Sequence, residues 1–204
     1  MSRVRGGPAR WLALPLALLL AACTANQAPP RAADVPIPES PFAGCAALTG
    51  PPAASAASSP GPSPTADLPP VSLSCFTGGE SFALDGLRGP AVISLWASWC
   101  GPCREELPLM QELADRTAGR LHVVGVDTRD SGDAAASFAA DKAVSFPTLF
   151  DPDQRLLTAL GKVNLPVTVF IGADGGRYVY TGPALDRPAL GELVRTHTGV
   201  TVTE

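Results

Sequence analysis

The sequence predicts an α/β fold, a central mixed β-sheet flanked by helices, with a short β extension on its N-terminal side. Two apolar, β-branched runs at 91–96 and 121–126 are typical of buried strands, and a helical pattern follows each of them. A hairpin pattern and an amphipathic helix then close the chain. Strands that alternate with helices before a closing hairpin favour a mixed sheet covered by helices on both faces.

Local signals predict the elements in chain order. A short strand at 73–76 and an extended segment at 81–84 flank a Gly78-Gly79 turn, and a second turn at 87–90 leads into the first buried strand. Pro102 suits the first turn of the helix that follows that strand. The remaining elements are a helix at 102–117, the strand at 121–126, an Ala-rich helix at 132–142, a short helix at 153–160, antiparallel strands at 167–171 and 177–181 joined by a turn at Asp174-Gly175, and a helix at 186–198.

Length and charge limit the classes of protein that this chain can belong to. A chain of 204 residues has room for one domain of ordinary size with tails. The net charge is −4, charged residues make up 17% of the chain, and no run of Arg or Lys marks a basic face. These features exclude proteins that bind nucleic acid through a basic surface.

Residues 1–22 have the three parts of an export signal. Arginines precede an apolar run from Trp11 to Ala22, and small residues stand directly before Cys23. The Leu20-Ala21-Ala22-Cys23 sequence resembles a bacterial lipobox, which implies cleavage before Cys23 and lipidation of its side chain. We therefore expect an exported protein, lipid-anchored on the extracytoplasmic face of the cell membrane. The alternative is an ordinary cleaved signal peptide in which Cys23 has no role.

Residues 23–70 are rich in Ala, Pro and Ser, and their proline pairs disfavour both helix and sheet. We expect a spacer, because such a segment buries too little apolar surface to fold by itself. One island near 42–48 interrupts it and is expected to be ordered. The folded domain is predicted at 71–199, followed by a C-terminal tail at 200–204.

The Cys100-Gly101-Pro102-Cys103 motif carries the strongest chemical signal. It follows a buried strand and opens a helix, so Cys100 lies where unpaired N–H groups and the helix dipole favour a thiolate. Cys100 is expected to attack a substrate disulfide, Cys103 to resolve the mixed disulfide, and Trp99 to flank the site. A zinc site is the alternative, but it needs more Cys or His ligands at suitable spacing. We therefore expect no metal, and no cofactor besides the cysteine pair.

Pro166 stands at the entry to a predicted strand, directly after Leu165. An X-Pro bond adopts the cis form at a cost of only about 0.5–1 kcal/mol, so a tight turn can hold the Leu165–Pro166 bond cis. A trans proline that begins a strand also fits the pattern. The residues alone leave both forms open.

The segment 96–108, WASWCGPCREELP, closely resembles the active site of the TlpA/ResA-like thioredoxin-fold lipoproteins, and the segment 165–168, LPVT, resembles their cis-proline loop. The resemblance covers about residues 71–199 and implies a thioredoxin-like domain there. It also implies that Pro166 is cis and lies opposite Cys100.

The same resemblance implies where a substrate binds. The Leu165 backbone is expected to offer edge hydrogen bonds to a substrate strand. Trp99, Gly101 and Pro102 are expected to form the rest of the contact surface beside the catalytic residues.

The proton acceptor for the second cysteine is less obvious from the sequence. Ser94 stands where cytosolic thioredoxin has a buried aspartate, so the acceptor for Cys103 has to come from elsewhere. The resemblance implies a catalytic glutamate at Glu106, which one helical turn brings onto the cysteine face. The alternative is that Glu105 and Glu106 are solvated acids in the first turns of the helix.

The acidic run Asp127–Asp130 is interpreted as a solvated turn rather than a metal site.

Two further cysteines, Cys45 and Cys75, remain in a chain that is expected to be exported, where disulfides persist. We predict that they form a structural disulfide joining the island to the first strand. Two free thiols, or a second redox pair that relays electrons to Cys100, are the alternatives.

These features together predict a thiol:disulfide oxidoreductase that reduces disulfides of exported proteins. The Gly-Pro dipeptide matches that of thioredoxin, whose potential is about −270 mV, against about −120 mV for the oxidant DsbA. The resemblance suggests apocytochrome c thiols awaiting haem as the substrate. Because the sequence shows no domain that supplies electrons, we also expect a membrane electron donor of the DsbD/CcdA type. The alternatives are an oxidase of secreted proteins and a copper-binding chaperone module. A peroxidase of the peroxiredoxin type needs a Pro-x-x-x-Thr-x-x-Cys loop, and no such pattern precedes Cys100.

Overall fold

A computed structural model describes residues 40–53 and 65–202. The predicted signal peptide at 1–22, the lipobox with Cys23 and most of the predicted spacer lie outside the described residues. No helix within the described ranges is both long enough and apolar enough to cross a membrane.

The described residues form a seven-stranded sheet with helices on both faces. The strands are β1 (Ser72–Cys75), β2 (Ser81–Ala83), β3 (Ala91–Trp96), β4 (His122–Thr128), β5 (Thr148–Asp151), β6 (Val167–Ile171) and β7 (Arg177–Tyr180). The α-helices are α1 (Gly101–Arg116), α2 (Gly132–Asp141), α3 (Arg155–Ala159) and α4 (Arg187–Thr198), and short 3-10 helices form at Ala46–Thr49 and Leu84–Gly86. Every predicted element is found, with its ends shifted by no more than two residues.

The strand order is β2-β1-β5-β4-β3-β6-β7. The central strands β3, β4 and β5 are parallel, whereas β6 with β7 on one side and β1 with β2 on the other run antiparallel to their neighbours. The prediction of a mixed sheet with a short N-terminal β extension is confirmed. Because β6 opposes β3, the end of β3, the end of β4 and the start of β6 meet at one edge of the sheet.

β5 is the element that local sequence does not predict. It is four residues long, and Pro147 and Pro152 flank it closely, which interrupts any longer strand pattern. Pairing with β4 on one side and β1 on the other supplies its hydrogen bonds. The tertiary structure therefore determines this strand.

An apolar layer covers each face of the sheet. One layer contains Trp96 with residues of α1, α2 and α4, and it includes both cysteines of the Cys100–Cys103 motif. The other contains Leu95 with residues of α3, the β1–β2 extension and the segment 40–53. Burial on both faces explains why β3 and β4 have continuous apolar runs instead of alternating ones.

The folded region begins before the predicted domain limit at residue 71. Residues 65–70, which composition assigns to the spacer, pack on the domain: Ala66 and Leu68 are buried, and the Ala66 N–H donates to the Leu87 carbonyl at 3.1 Å. Composition reports the mean character of a segment and does not reveal single apolar residues that find partners on a distant surface.

The island and the tail also belong to the packed structure. Phe42, Cys45 and Leu48 are buried, and the Phe42 ring lies 6.2 Å from the ring of Trp96. At the other end of the chain, Val202 packs against the same apolar layer as Trp96. The predicted tail is thus part of the domain at least to residue 202.

Candidate active site

Cys100 is the N-cap residue of α1, and its side chain lies against Cys103. The Cys100 Sγ accepts the Cys103 backbone N–H at 3.3 Å, and a disulfide joins the two residues with their Cα atoms 5.3 Å apart. Cys100 retains 5% of its surface, whereas Cys103 is completely buried. Of the two cysteines, only Cys100 retains solvent-accessible surface.

The surface around Cys100 is open to a large partner. Trp99 is 52% exposed, and its indole N–H donates to the Arg129 carbonyl at 2.8 Å. The Arg129 guanidinium carbon lies 4.9 Å from the Trp99 ring centroid, so a cation–π contact also orients the indole. Gly101 and Pro102 are both exposed. A polypeptide can therefore approach the motif without displacing the core.

The Leu165–Pro166 peptide bond is cis and directly precedes β6. Val167 lies opposite Leu95, so this bond stands at the sheet edge where β3 ends and the cysteine motif begins. A cleft of about 250 Å³ at this edge is lined by Trp99 and Leu165 among other residues. The structure thus brings two of the predicted substrate-contacting residues, Trp99 and Leu165, to one cleft. The Gly89–Pro90 bond is also cis, which the sequence analysis does not anticipate.

Glu106 is buried, with 1% of its surface exposed, so the interpretation of this residue as a solvated acid is wrong. Its Oε1 accepts the Leu185 backbone N–H at 2.6 Å, and its Oε2 has no hydrogen-bond partner among the described residues. Burial raises the pKa of Glu106, opposed in part by the Leu185 hydrogen bond. The neighbouring Glu105 is exposed, as the sequence interpretation expects.

Ser94 lies on β3 and is fully buried. It is opposite Thr168 on β6, and neither hydroxyl has a hydrogen-bond partner among the described residues. Position 94 thus carries a buried hydroxyl group in place of the aspartate of cytosolic thioredoxin. Among the described residues, Glu106 and Asp127 are buried carboxyl groups on elements next to the motif.

Asp127 and Asp130 correct the interpretation of a solvated turn. Asp127 is the last residue but one of β4, lies opposite Trp96 on β3, and is completely buried. Burial raises the pKa of Asp127 to about 8, with the Asp130 and Asp151 carboxyls adding to the effect. Asp130 is half-buried and accepts the backbone N–H of Ser98, two residues before Cys100. The sequence signal that could have identified these two residues is their position near the carboxyl end of a parallel strand, where functional residues collect.

Asp127→Asn is expected to flatten the pH dependence of the free energy of unfolding. The pKa of Asp127 is about 8 in the folded protein against an ordinary value of 3.8, so the folded state keeps a proton that the unfolded state releases. The stability of the wild type should therefore fall as pH rises between about pH 4 and pH 8, by about 1.4 kcal/mol per pH unit from this group. Asn does not ionise, and the variant should not show this fall. Urea unfolding at several pH values measures it.

The exposed residue Asp133, on the first turn of α2, provides the control, since Asp133→Asn removes one charge without touching a buried group. That control should retain the wild-type slope. Equal slopes for Asp127→Asn and the wild type would show that Asp127 is ionised in the folded protein.

Cys45 and Cys75 are joined by a disulfide with their Cα atoms 5.9 Å apart. Both residues are buried, and Cys75 is the last residue of β1. The bridge ties the segment 40–53 to the β1–β2 extension, on the face of the sheet opposite the cysteine motif.

The described residues contain no group of three or more His, Cys, Asp or Glu side chains positioned to hold a metal ion. The chemistry that the geometry supports is sulfur exchange. A cysteine at a helix N-terminus can form a stabilised thiolate, and a second cysteine one turn away can displace it from a mixed disulfide.

A Cys-Gly-Pro-Cys disulfide that caps a helix at the edge of a mixed sheet, beside a cis proline, defines a thioredoxin-like protein. Sequence comparison then gives the family: the pattern of the AhpC/TSA family matches residues 64–176, and the chain belongs to that family. Similarity to ResA and DsbE proteins confirms the TlpA/ResA-like resemblance.

Two curated relatives are thiol:disulfide exchange proteins. The thiol-disulfide oxidoreductase ResA of Bacillus subtilis (strain 168) is 31% identical over 101 residues, which is 48% of this chain and 56% of ResA. The thiol:disulfide interchange protein DsbE homolog of Paracoccus denitrificans is 35% identical over 112 residues, which is 53% of this chain and 60% of that protein. The chain thus spans little more than half the length of these relatives.

A solved structure shows the same fold. It is a secreted Mycobacterium tuberculosis disulfide oxidoreductase homologous to E. coli DsbE, 26% identical to this chain, with a TM-score of 0.57. The match covers 62% of this chain and 96% of that one. The prediction of a thioredoxin fold is confirmed.

Proposed function

We propose that this protein is a thiol:disulfide oxidoreductase that reduces disulfides in exported proteins. The observation that carries the proposal is the difference in exposure between Cys100, which reaches solvent, and Cys103, which is completely buried. An accessible nucleophile and a protected resolving thiol are what a two-step exchange needs. The similarity to ResA and DsbE proteins supports the same activity.

The reaction begins with the dithiol form. The Cys100 thiolate, stabilised by the N-terminus of α1, attacks one sulfur of a substrate disulfide and expels the other as a thiolate. The Cys103 thiolate then attacks the Cys100 sulfur of the mixed disulfide and releases the second substrate thiolate. Two electrons pass to the substrate, the two expelled thiolates take up protons, and the Cys100–Cys103 disulfide forms.

Glu106 is the group proposed to accept the Cys103 proton. It lies one helical turn beyond Cys103, is buried on the same apolar side, and keeps Oε2 without a partner among the described residues. Because burial raises its pKa, the carboxyl is closer to the range in which a group can both take and give a proton near neutral pH.

Glu106→Gln is expected to slow resolution of the mixed disulfide on the order of 100-fold at neutral pH. The amide oxygen can keep the Leu185 hydrogen bond, so the local fold is preserved. The rate should recover at high pH, where Cys103 ionises without assistance. Rapid-mixing kinetics with a fluorescent disulfide peptide measures the step, and exposed Glu105→Gln is the matched control. A loss of rate that is the same at every pH would assign Glu106 a structural role.

The direction of electron flow is proposed from the dipeptide between the cysteines. The Gly101-Pro102 pair is that of thioredoxin, a reductant. Titration of the Cys100–Cys103 disulfide against a thiol redox buffer, followed by Trp fluorescence, should give a potential near or below about −230 mV. A value between about −180 and −120 mV would overturn the reductase proposal in favour of oxidation of secreted proteins. The absence of any Cys100-dependent transition would favour copper binding.

We propose export and lipid anchoring through Cys23 as the setting of this activity. The sequence of residues 1–23 supports it, and so does the Cys45–Cys75 disulfide, because such bonds persist in oxidising compartments. A reductase in that setting needs electrons from the membrane, for which a DsbD/CcdA-type donor is proposed. The apocytochrome c disulfide, whose reduction restores the cysteine thiols, is the proposed substrate, with disulfides of other exported proteins as the broader class.

A further inference from the structure

Two exposed apolar side chains line the cleft next to the cysteine motif, which is called the Trp99 cleft from here on. Trp99 is 52% exposed and Val163 is 81% exposed. Among the described residues, only Tyr178 joins them as an exposed large apolar side chain. Exposed aromatic and aliphatic groups at one cleft are the groups that a polypeptide partner covers. The Trp99 cleft thus offers apolar contacts to a bound segment.

A second cleft, the Lys162 cleft, shares residues 163–165 with the first. It has a volume of about 270 Å³ and extends from Lys162 to Pro166 and Thr181. A polypeptide that contacts the shared segment 163–165 therefore borders both clefts. Side chains on either side of the contact point can reach one cleft or the other.

Each of the two clefts is lined by a single charged side chain, and in both it is a cation. Arg129 lines the Trp99 cleft, and Lys162 lines the cleft that bears its name. Neither has a carboxylate partner in the part of the chain that the structure describes. The Arg129 guanidinium packs on the Trp99 ring, and the ion pairs of the described ranges involve other arginines. The positive charge of both clefts is thus left for a bound partner.

The carboxylates of the neighbouring loops and of α1 line neither cleft. The two oxygens of Asp130 are held by backbone N–H groups of the adjoining loops. Asp153 lines a separate cleft together with Arg155. Glu105 is exposed on α1. Because the net charge of the chain is −4, the positive charge at the two clefts is a local property and not that of the whole molecule.

The backbone of Arg129 is fixed from both sides. Its φ of 53° lies in the left-handed region, which residues other than glycine seldom adopt. The Arg129 N–H donates to the Asp151 carbonyl at 3.1 Å, and its own carbonyl accepts the Trp99 indole N–H at 2.8 Å. Residues held in such conformations by their surroundings cluster at binding sites. The end of β5 and the Trp99 indole therefore keep this cation at the cleft.

We propose that the two clefts select substrate segments in which acidic residues flank the disulfide cysteine. Arg129 and Lys162 attract the carboxylates, and Trp99 with Val163 covers an apolar side chain beside them. Segments with lysines at the same positions are disfavoured, because like charges repel. The inference names a substrate class for the exchange reaction and rests on the proposed function.

The test uses the reduced full chain and three peptides, each joined through its cysteine to a fluorescent thiol by a disulfide. The peptides differ only at the positions flanking the cysteine, which carry Glu, Gln or Lys, and a leucine nearby stays constant. Release of the fluorescent thiol in a single turnover gives the rate constant for exchange. Division by the rate with dithiothreitol corrects for the intrinsic reactivity of each disulfide.

The variants are Arg129→Gln, Lys162→Gln, their combination and the charge-conserving Arg129→Lys. Lys142→Gln is the matched control, since Lys142 is an exposed cation at the end of α2 that lines neither cleft. All of these side chains are exposed or half-buried, so the substitutions leave the core intact.

The wild type should react about tenfold faster with the Glu peptide than with the Lys peptide at low ionic strength. Arg129→Gln and Lys162→Gln should each lower this ratio, and the double variant should bring it to about one. Arg129→Lys and the Lys142→Gln control should keep the ratio. About 0.5 M salt should lower the wild-type ratio, because it screens exposed charges.

Equal rates of the wild type with all three peptides would overturn the proposal. So would an Arg129→Gln variant that loses rate equally with every peptide, which would leave Arg129 the role of holding Trp99. If the double variant keeps the ratio but loses binding to phosphatidylglycerol vesicles, the cations face anionic lipid and the proposal is wrong.

Failure of the proposed function is recognised separately, because then none of the peptides exchanges. The selectivity is still measured in that case by titrating the oxidised, nitrogen-15-labelled protein with the same peptides carrying Ser in place of Cys. Tighter binding of the Glu peptide, followed by the amide shifts of Trp99 and Val163, would support the inference. Equal affinities for the Glu and Lys peptides would overturn it.

Discussion

Cys103→Ser should convert the protein into a trap that stays covalently bound to its substrates. Cys100 remains able to attack, but the mixed disulfide has no internal thiol to resolve it, so turnover should fall on the order of a thousandfold or more. Cys100→Ser should lose turnover to the same extent without forming the adduct, since the buried Cys103 is not reached by a protein disulfide. Non-reducing electrophoresis and mass spectrometry of each variant with a disulfide-containing protein measure the outcome.

The pair of variants provides its own control, because the two substitutions remove the same disulfide from the same turn of α1. A stable adduct in Cys100→Ser, and none in Cys103→Ser, would reverse the roles assigned here. Adducts captured from extracts of the producing cell would also identify physiological substrates, including any apocytochrome c.

Removal of the Cys45–Cys75 disulfide, by the double substitution to Ala, should lower the free energy of unfolding by about 3–4 kcal/mol. The two cysteines are 30 residues apart, and the bridge restricts that loop in the unfolded chain. It also holds Phe42 and Leu48 in the core, so further burial should be lost if the segment detaches. Urea unfolding under non-reducing conditions measures the change.

The same variant distinguishes a structural bridge from a second redox pair. A structural bridge predicts a large loss of stability, with the Cys100–Cys103 potential unchanged at a temperature where the variant is folded. The alternative, electron relay to Cys100, predicts unchanged stability and a loss of turnover that depends on the external reductant. The positions of the two disulfides on opposite faces of the sheet favour the first result.

Much of the fold is encoded locally. The β-branched runs of β3 and β4, Pro102 in the first turn of α1 and the glycine-containing turn before β7 each specify their element through nearby residues alone. The cysteine motif belongs to the same category, because its position after a strand and before a helix follows from adjacent residues. The sequence therefore predicts both the α/β class and the place of the sulfur chemistry.

The remaining features depend on contacts between residues that are distant in the chain. β5 exists because β1 and β4 pair with it, and residues 65–70 are ordered because the domain surface accepts Ala66 and Leu68. The composition and the hydrophobic periodicity of a segment describe that segment by itself. Neither property shows which distant strand or surface the segment contacts.

The chemistry of the acidic residues shows the same division. Glu105 and Glu106 are identical neighbours in sequence, yet one is exposed and the other is buried against Leu185. Asp127 lies near the end of an ordinary buried strand, and its pKa is raised mainly by burial, with the Asp130 and Asp151 carboxyls adding to the effect. The sequence by itself determined which residues carry sulfur chemistry and on which fold. The tertiary structure decided which carboxyl groups are buried, because burial and charge depend on how distant segments of the chain come together.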